Sequence, residues 1–241
     1  MSGKLSIVIP TYNEGSNVVP LIDKIYQTMN GHTPHRDDLE VVVIDDNSPD
    51  GTGHICQSLL NKYPSLKIVV RTGTKGLGSA VKRGIMESSG DTIVVMDADF
   101  SHDCATIPRL VAILNSDSTD IAIASRYTEG STTVSALHLK AGSRALNLFV
   151  RTILRVPVRD MTGGFFAAKR ESLQALDSET VFSGYGDYSI ALLYKSFKKG
   201  LRLREIPFAY SPRQDGFSKT SFFRAGFSYG IRALKLRLGL E

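Results

Sequence analysis

The first half of the chain alternates short apolar runs with longer segments in which apolar residues recur at helical spacing. Such alternation is typical of parallel strands connected by crossover helices. The pattern predicts strands at residues 5–9, 40–44, 67–71, 92–96 and 120–124, and helices at residues 16–29, 51–61, 76–87 and 105–114. Ser16 and Asp103 are residue types that cap helix N-termini. The sequence therefore predicts an α/β fold with a mostly parallel central sheet flanked by helices.

The regular alternation stops near residue 130. Later segments predict strands at residues 164–168 and 203–210 and helices at residues 139–154, 187–199 and 222–238. No Pro/Gly-rich linker separates the two halves, so we expect one domain over residues 1–220, divided at about residue 130.

A C-terminal helix is expected at residues 221–241. Its apolar residues Phe223, Phe227, Ile231, Leu234 and Leu238 recur at helical spacing, and Arg224, Arg232 and Lys235 lie mostly off that stripe. This pattern predicts an amphipathic helix. It would either lie on a membrane surface or a small membrane protein, or pack on its own domain.

Composition narrows the class of protein. The 241 residues are 42% hydrophobic, which is ample for a full core, and carry a net charge of +5. That charge suits an anionic substrate or a membrane surface, whereas nucleic acid binding lacks clustered aromatic residues in a basic patch. Cys56 and Cys104 predict reduced, buried thiols. Neither a signal-peptide pattern nor an apolar stretch of roughly 18 residues is seen, so we expect a soluble or peripheral, cytoplasmic protein.

Acidic pairs follow two of the predicted strands. Asp97 and Asp99 end the fourth strand, and Asp45 and Asp46 end the second. Parallel strands bring their carboxyl ends to one edge of a sheet. There Asp97 and Asp99 either clamp a divalent cation against a diphosphate or form a solvated turn before the next helix. His102 follows this pair, and we expect it at the surface.

Residues 71–80 form a glycine-rich segment between a predicted strand and a predicted helix. Backbone N–H groups at such a helix start can bind phosphate, and tight strand-to-helix packing explains the glycines about as well. The glycine order does not match a dinucleotide fingerprint, and the ending of a P-loop is missing. An NAD enzyme is therefore not expected.

Six motifs occur in a fixed order along the chain. They are Pro-Thr-Tyr-Asn-Glu at 10–14, Asp-Asp-Asn-Ser-Pro-Asp-Gly-Thr at 45–52, Lys-Gly-Leu-Gly-Ser-Ala at 75–80, Met-Asp-Ala-Asp-Phe-Ser-His at 96–102, Ser-Arg-Tyr at 125–127 and Gly-Phe-Ser-Lys-Thr at 216–220. With these motifs the chain resembles glycosyltransferase family 2, and within it the dolichol-phosphate mannose synthase (polyprenyl-phosphate glycosyltransferase) group. The resemblance covers residues 5–220, nearly the whole chain.

The resemblance implies a GT-A fold with a Rossmann-like sheet, a nucleotide-sugar donor, Mg²⁺ or Mn²⁺, and inversion at the anomeric carbon. Residues 1–130 would form the nucleotide-binding half, and residues 131–220 the acceptor half. The implied donor site comprises Pro10, Tyr12, Glu14 and Asp46 at the nucleoside, and Lys75, Asp97, Ala98 and Asp99 at the diphosphate, with Asp97 and Asp99 as metal ligands. Structural roles stay open: a turn for Pro10 and Tyr12, a helix cap for Glu14, and a satisfied carboxylate for Asp45.

Cationic side chains are expected to stabilise the charge that develops on the departing nucleotide diphosphate. Arg126, Arg213 and Lys219 occupy the family positions for this role. Asp99 and Arg126 are accordingly predicted as catalytic. Gly216 lies between Arg213 and Lys219, so that this loop is predicted to close over the donor.

The acceptor side departs from the family pattern. Lys140, Ser143 and Arg144 would bind the acceptor phosphate or belong to an ordinary amphipathic helix, because the family's tryptophan and the basic cluster after it are missing. Asp187 stands where the synthases have Phe-Gln and then Glu. It is either a helix N-cap or the general base for a hydroxyl acceptor.

The combined prediction is an enzyme that moves a hexose, with mannose from GDP-mannose as the first candidate, onto a polyprenyl or dolichyl phosphate. The alternative is a family 2 transferase that acts on a saccharide or another hydroxyl acceptor, with Asp187 as base. A non-enzymatic nucleotide-sugar-binding subunit is disfavoured because both Asp97 and Asp99 are present. A membrane surface or a small membrane protein is the expected partner, and nucleic acid is not.

Overall fold

The structure is a computed structural model that describes residues 3–33, 35, 38–73, 75–116, 118–133, 137–184, 186–211 and 222–241. The strands are β1 (Leu5–Thr11), β2 (Leu39–Asp45), β3 (Leu66–Val70), β4 (Thr92–Val95), β5 (Ile121–Ser125), β6 (Thr132–Thr133), β7 (Phe166–Lys169), β8 (Leu203–Pro207) and β9 (Ala209–Tyr210). The helices are α1 (Gly15–Met29), α2 (Thr52–Gln57), α3 (Leu77–Glu87), α4 (Ile107–Ser116), α5 (Leu137–Leu154), α6 (Arg170–Gln174), α7 (Ser178–Val181), α8 (Tyr188–Lys198) and α9 (Phe222–Leu238).

A seven-stranded sheet forms the centre of the described part of the chain, in the order β3-β2-β1-β4-β7-β5-β8. Neighbouring strands are parallel except at β7, which runs antiparallel to both β4 and β5. β6 and β9 form a separate parallel pair. The predicted mostly parallel sheet is confirmed.

Helices cover both faces of this sheet. Ile7 and Ile9 of β1 belong to the apolar cluster formed with α1, α2 and α4, while Val8 belongs to the cluster formed with α3, α5, α8 and α9. Successive strand residues point to opposite faces, so a strand buried on both faces is apolar at almost every position. Short apolar runs therefore identified β1 to β5.

Several predicted boundaries change in the structure. α1 begins at Gly15, so Ser16 lies inside the helix and the prediction that it caps α1 is wrong. A neighbouring loop serves the helix start instead, because the Gly15 N–H donates to Asp50 Oδ2 at 2.9 Å. Asp103 is confirmed as a cap, since its Oδ1 accepts the Ala105 N–H at 3.1 Å.

The predicted strand at 203–210 is divided after Pro207, because proline has no N–H with which to continue a ladder. The predicted helix at 51–61 ends at Gln57 and continues as turns. Among the described residues, no helix is both long and apolar enough to cross a membrane.

Candidate active site

The carboxyl ends of β1, β2 and β4 meet at one edge of the sheet. β1 and β2 pair in parallel from Leu5 opposite Leu39 to Thr11 opposite Asp45, and β4 lies parallel on the other side of β1. The loops that follow these strands carry most of the predicted donor-site residues. This edge is where ligands bind in open α/β sheets.

Asp45 is a structural carboxylate. It is buried, and it accepts hydrogen bonds from Thr11 Oγ1 at 3.0 Å and from the Ser48 N–H at 2.9 Å. Ser48 Oγ in turn accepts the Asn13 N–H at 3.0 Å. The two loops after β1 and β2 are therefore fixed to each other by Asp45 and Ser48.

Asp46 anchors the glycine-rich segment. It accepts Arg71 Nε at 2.6 Å and the Gly76 N–H at 2.8 Å, and Arg71 Nη2 also pairs with it. Gly76 has φ +142°, which L side chains rarely adopt, and a Cβ at Gly78 would lie 2.6 Å from the Phe182 carbonyl oxygen. Backbone conformation and close packing thus account for these two glycines.

The nucleoside end of the predicted site is formed by the loop after β1. Pro10 is buried in β1, and the half-exposed ring of Tyr12 lies beside Lys75, whose Nζ is 5.1 Å from the ring centroid. Glu14 accepts Asn17 Nδ2 at 2.9 Å at the start of α1. The structure thus brings together Pro10, Tyr12, Glu14 and Lys75, although they come from two separate segments.

The turn after β4 is stabilised by a hydrogen bond between two of its own residues. Asp99 is buried and accepts the Ser101 N–H at 3.0 Å, and Ala98 is buried beside it. Phe100 has φ +61°, a left-handed conformation that is strained for a bulky residue. Asp97 remains 34% exposed. One carboxylate of the pair is thus inside the turn and the other borders solvent.

His102 is buried in this turn, so its predicted surface position is wrong. Its Nδ1 accepts the Asp97 N–H at 3.0 Å, and its ring stacks on Phe165 with centroids 4.7 Å apart. Burial lowers the pKa of His102, although the charges of Asp97 and Asp99 oppose this. The neutral imidazole therefore supports the backbone of the acidic turn.

The residues of this turn fit a hard divalent cation. No cluster of three or more His, Cys, Asp or Glu side chains that could hold a metal ion occurs in the described ranges. Mg²⁺ is usually held by one or two carboxylates, with further oxygens from substrate phosphates and water. Asp97 and Asp99 are two carboxylates of this kind on one turn.

Arg126 is paired with a buried acid that the sequence analysis missed. Its Nε and Nη2 each donate to Asp160 at 2.8 Å, and Nη2 also donates to Thr162 Oγ1 at 2.9 Å. Burial alone would lower the pKa of Arg126, but the charge and hydrogen bonds of Asp160 raise it. The pair fixes the guanidinium over the rings of Tyr127 and Tyr210.

The predicted acceptor residues lie on or near α5. Ser143 Oγ is 2.5 Å from the Tyr127 hydroxyl oxygen, and Arg144 is exposed. Lys140 belongs to α5, but its side chain is not among the parts that the structure describes. Arg213 and Lys219 lie outside the described residues. Their predicted roles stay predictions.

Asp187 occupies the N-cap position of α8, but its side chain makes no capping hydrogen bond. It is buried, and its Oδ1 would lie 2.6 Å from a Cβ at Gly184. Tyr188, the next residue, is also buried and borders Asp97 across Gly164. Tyr188 was not predicted from the sequence; the one signal in the sequence was Gly164, where a Cβ would lie 3.1 Å from the Tyr188 hydroxyl.

Comparison with solved structures shows the same fold. A glucosyl-3-phosphoglycerate synthase from Mycobacterium tuberculosis, solved with Mn²⁺, UDP and phosphoglyceric acid, aligns with a TM-score of 0.73 at 22% identity. The alignment covers 99% of this chain and 79% of that one. A complex of the same synthase with Mg²⁺ and UDP aligns with a TM-score of 0.71 at 20% identity. The predicted GT-A fold is confirmed.

Curated sequence relatives are more similar than these structures. A dolichol-phosphate mannosyltransferase of Pyrococcus furiosus is 36% identical over 219 residues, which are 90% of this chain and 59% of that protein. A polyprenol monophosphomannose synthase of Mycolicibacterium smegmatis is 30% identical over 220 residues, 89% of this chain and 80% of that protein. The sequence model of glycosyl transferase family 2 matches residues 6–177. The chain therefore belongs to glycosyl transferase family 2.

Proposed function

We propose that this protein is an inverting glycosyltransferase that moves mannose from GDP-mannose to a polyprenyl phosphate. The observation that carries the proposal is the acidic turn after β4, with Asp97 and Asp99 at the sheet edge. Two relatives at 30–36% identity carry the names of mannosyl transferases to dolichol or polyprenol phosphate. This chain spans about 59% of the Pyrococcus furiosus protein, so the shared part is the family 2 domain.

The donor diphosphate is placed at the acidic turn. Asp97 and Asp99 would hold Mg²⁺ or Mn²⁺, which when bound supplies positive charge to the departing nucleotide diphosphate. Lys75 lies beside Tyr12 at the same edge and adds a movable cation. Arg213 and Lys219 are assigned here to the phosphate oxygens by their family positions alone.

Arg126 contributes as an oriented donor rather than as a mobile charge. Its bidentate pairing with Asp160 fixes the guanidinium plane and offsets much of its charge. A fixed dipole costs little reorganisation as charge develops on a leaving group. We assign Arg126 to the region between donor and acceptor phosphates.

The acceptor phosphate is assigned to the first turns of α5. Ser143 faces Tyr127, the neighbour of Arg126, so the helix is fixed close to the Arg126–Asp160 pair. Arg144 is exposed and Lys140 lies one turn earlier. A phosphate monoester is largely ionised near neutral pH, with a second pKa of about 6, so it can attack without a strong protein base.

A second candidate acceptor is a saccharide hydroxyl. Asp187 favours it, because this buried carboxylate sits next to Tyr188, which borders Asp97, and does not cap α8. A hydroxyl nucleophile needs a base near the site of transfer, and Asp187 is of the right chemical type. A hydroxyl acceptor thus needs Asp187 as a base, whereas a phosphate acceptor does not.

We further assign an apolar outer surface to the membrane. It comprises Leu148 and Phe149 of α5 with Phe227, Ile231, Leu234 and Leu238 of α9, all exposed. The Phe149 ring lies 3.5 Å from a Cβ built at Gly230, so the two helices share this surface. Lys235, Arg237 and Arg151 lie on the same helices and suit anionic headgroups. We place the protein peripherally, at the cytoplasmic membrane face.

One experiment tests the proposed reaction. GDP-mannose is incubated with farnesyl phosphate or with a manno-oligosaccharide, with Mg²⁺ or Mn²⁺, and products are identified by mass spectrometry. We expect farnesyl phosphate alone to be mannosylated, giving a farnesyl mannosyl phosphodiester and GDP, at comparable rates in wild type and Asp187→Asn. Transfer to the oligosaccharide that disappears in Asp187→Asn would instead establish the hydroxyl acceptor.

A further inference from the structure

The hydroxyl of Tyr188 is the most unusual buried polar group beside the acidic turn. The residue is 1% exposed, and its Oη has no hydrogen-bond partner among the described residues. Buried polar groups in native proteins are nearly always hydrogen-bonded, because an unpartnered one loses its water without compensation. A buried hydroxyl without a partner in the described ranges is therefore available to a ligand.

Gly164 gives this hydroxyl access to Asp97. A Cβ built at Gly164 would lie 3.1 Å from Tyr188 Oη and 3.9 Å from Asp97 Oδ1. The phenol and the carboxylate therefore border one small space, which any larger residue at position 164 would fill. A phenol of ordinary pKa, about 10, is protonated near neutral pH, so Tyr188 can donate a hydrogen bond into this space.

A sugar hydroxyl matches this pair. It can donate to the Asp97 carboxylate and at the same time accept from Tyr188, whereas a second anion beside Asp97 would be repelled. The Asp97 side chain is also 34% exposed at the sheet edge, on the side assigned to the donor. The contact uses Oδ1 of Asp97, which leaves Oδ2 for the metal assigned to the acidic turn.

We propose that Tyr188 and Asp97 together recognise one hydroxyl of the transferred sugar, which makes Tyr188 a specificity-determining residue. The inference rests on the proposed function, because it takes the sugar of the donor as the ligand. It extends that function by assigning a role to a residue of α8 outside the acidic turn.

Tyr188→Phe is the decisive variant, with Tyr194→Phe as its matched control. Tyr194 is another buried tyrosine, on the same helix. By calorimetry with Mn²⁺, we expect Tyr188→Phe to bind GDP-mannose about tenfold more weakly than wild type. GDP, which lacks the sugar, should bind both proteins equally, and Tyr194→Phe should bind both ligands as wild type does.

Monodeoxy analogues of GDP-mannose identify the hydroxyl. For one analogue the affinities of wild type and Tyr188→Phe should coincide, because the interaction is already absent. Gly164→Ala should also weaken GDP-mannose binding while GDP binding is kept, since its methyl group enters the space beside Tyr188. The Tm of Tyr188→Phe should equal or exceed that of wild type, because the substitution removes an unpartnered hydroxyl.

Equal affinity of wild type and Tyr188→Phe for GDP-mannose would overturn the inference. So would an equal loss of affinity for GDP and GDP-mannose, or a Tm lowered by more than about 4 °C, which would indicate a structural role. None of these measurements needs an acceptor. A wild-type protein that binds GDP-mannose and transfers nothing to farnesyl phosphate would contradict only the proposed reaction.

Discussion

Asp97 and Asp99 differ in exposure, although only Ala98 separates them. Asp99 is buried and bonded to the Ser101 N–H, while Asp97 borders solvent and Tyr188. Phe100, the residue after Asp99, has a left-handed backbone conformation that is strained for a bulky side chain. The two carboxylates are therefore expected to contribute unequally when a metal and a donor bind.

Replacing Asp99 tests the metal role. We expect Asp99→Asn to reduce Mn²⁺-dependent transfer by about 100-fold or more, because an amide is a weaker and uncharged metal ligand. Asp103→Asn is the matched control, since Asp103 lies on the same loop, where it caps a helical turn and pairs with Lys24 at the surface. The measurement is Mn²⁺ binding in the presence of GDP, together with turnover. Unchanged Mn²⁺ affinity in Asp99→Asn would refute the assignment.

The Arg126–Asp160 pair should be essential for stability as well as position. Asp160 is fully buried, so that Asp160→Ala leaves a guanidinium without its counter-charge, and we expect a loss of about 3–5 kcal/mol in the free energy of unfolding. The comparison is the pair between the exposed Arg202 and the partly buried Asp120. Arg202→Ala should cost far less than Asp160→Ala, because water screens the exposed guanidinium. Urea unfolding measures both. Similar losses in the two variants would contradict the argument.

Glu40 makes the stability of the fold depend on pH at the edge opposite the candidate site. Burial would raise its pKa, but hydrogen bonds from Lys67, Ser6 and Ser89 outweigh this and lower the pKa from 4.5 to about 2. A carboxylate with a lowered pKa stabilises the folded state above its unfolded pKa. That contribution disappears as the pH falls through the folded value.

Glu40→Gln should reveal this contribution. The difference in unfolding free energy between wild type and Glu40→Gln should be about 3 kcal/mol near neutral pH. It should shrink progressively between about pH 4.5 and pH 2, because the unfolded wild-type chain takes up the proton at Glu40 first while the folded protein keeps the carboxylate ionised down to about pH 2. Urea unfolding at a series of pH values measures it. A difference that stays constant with pH would show that Glu40 is not the titrating group.

At the scale of elements, α9 uses a face for packing that the sequence did not indicate. Ala233 and Leu236 are buried against the domain, whereas Phe227 and Leu238 of the predicted apolar stripe are 73% and 70% exposed. The helix therefore packs on its own domain through one face and presents the stripe outward, and docking of the stripe on a membrane stays a prediction. A deletion of α9 would disturb the first face while testing the second.

Point substitutions separate these two faces. We expect Phe227→Ser with Leu234→Ser to reduce binding to anionic phospholipid vesicles by about tenfold, since two exposed apolar side chains no longer enter the membrane. Transfer to the short acceptor farnesyl phosphate in solution should be unchanged. Met86→Ser removes an equally exposed apolar side chain from α3 and is the control. Vesicle sedimentation that does not differ from wild type would argue against membrane docking.

At the scale of the whole molecule, the sequence predicted the parallel strands of the sheet but not the antiparallel direction of β7. β1, β2 and β4 are buried on both faces, so their composition alone identified them. β7 is only four residues long with two alanines, and neither its antiparallel direction nor its place between β4 and β5 follows from composition. The direction and the neighbours of β7 depend on contacts between residues that are far apart in the sequence.

The same limit applies to the candidate site. Asp97, Asp99 and Asp46 were predictable because each directly follows an apolar strand. His102, Asp160 and Tyr188 were not, because their burial arises from distant segments that pack around them. The sequence also predicted Arg126 as a phosphate ligand without its partner, since 34 positions separate it from Asp160. The residues that support the site could therefore be identified only from the structure.

The position of β7 between β4 and β5 has a consequence for biosynthesis. β5 pairs only with β7 and β8 in the sheet, so a nascent chain that has emerged only as far as residue 165 offers β5 no hydrogen-bonded neighbour. The segment that leads into β7 also carries Asp160 and Gly164. The candidate site therefore stays incomplete until synthesis has passed β7 and α8, and a chain that ends before residue 166 leaves one edge of β4 unpaired.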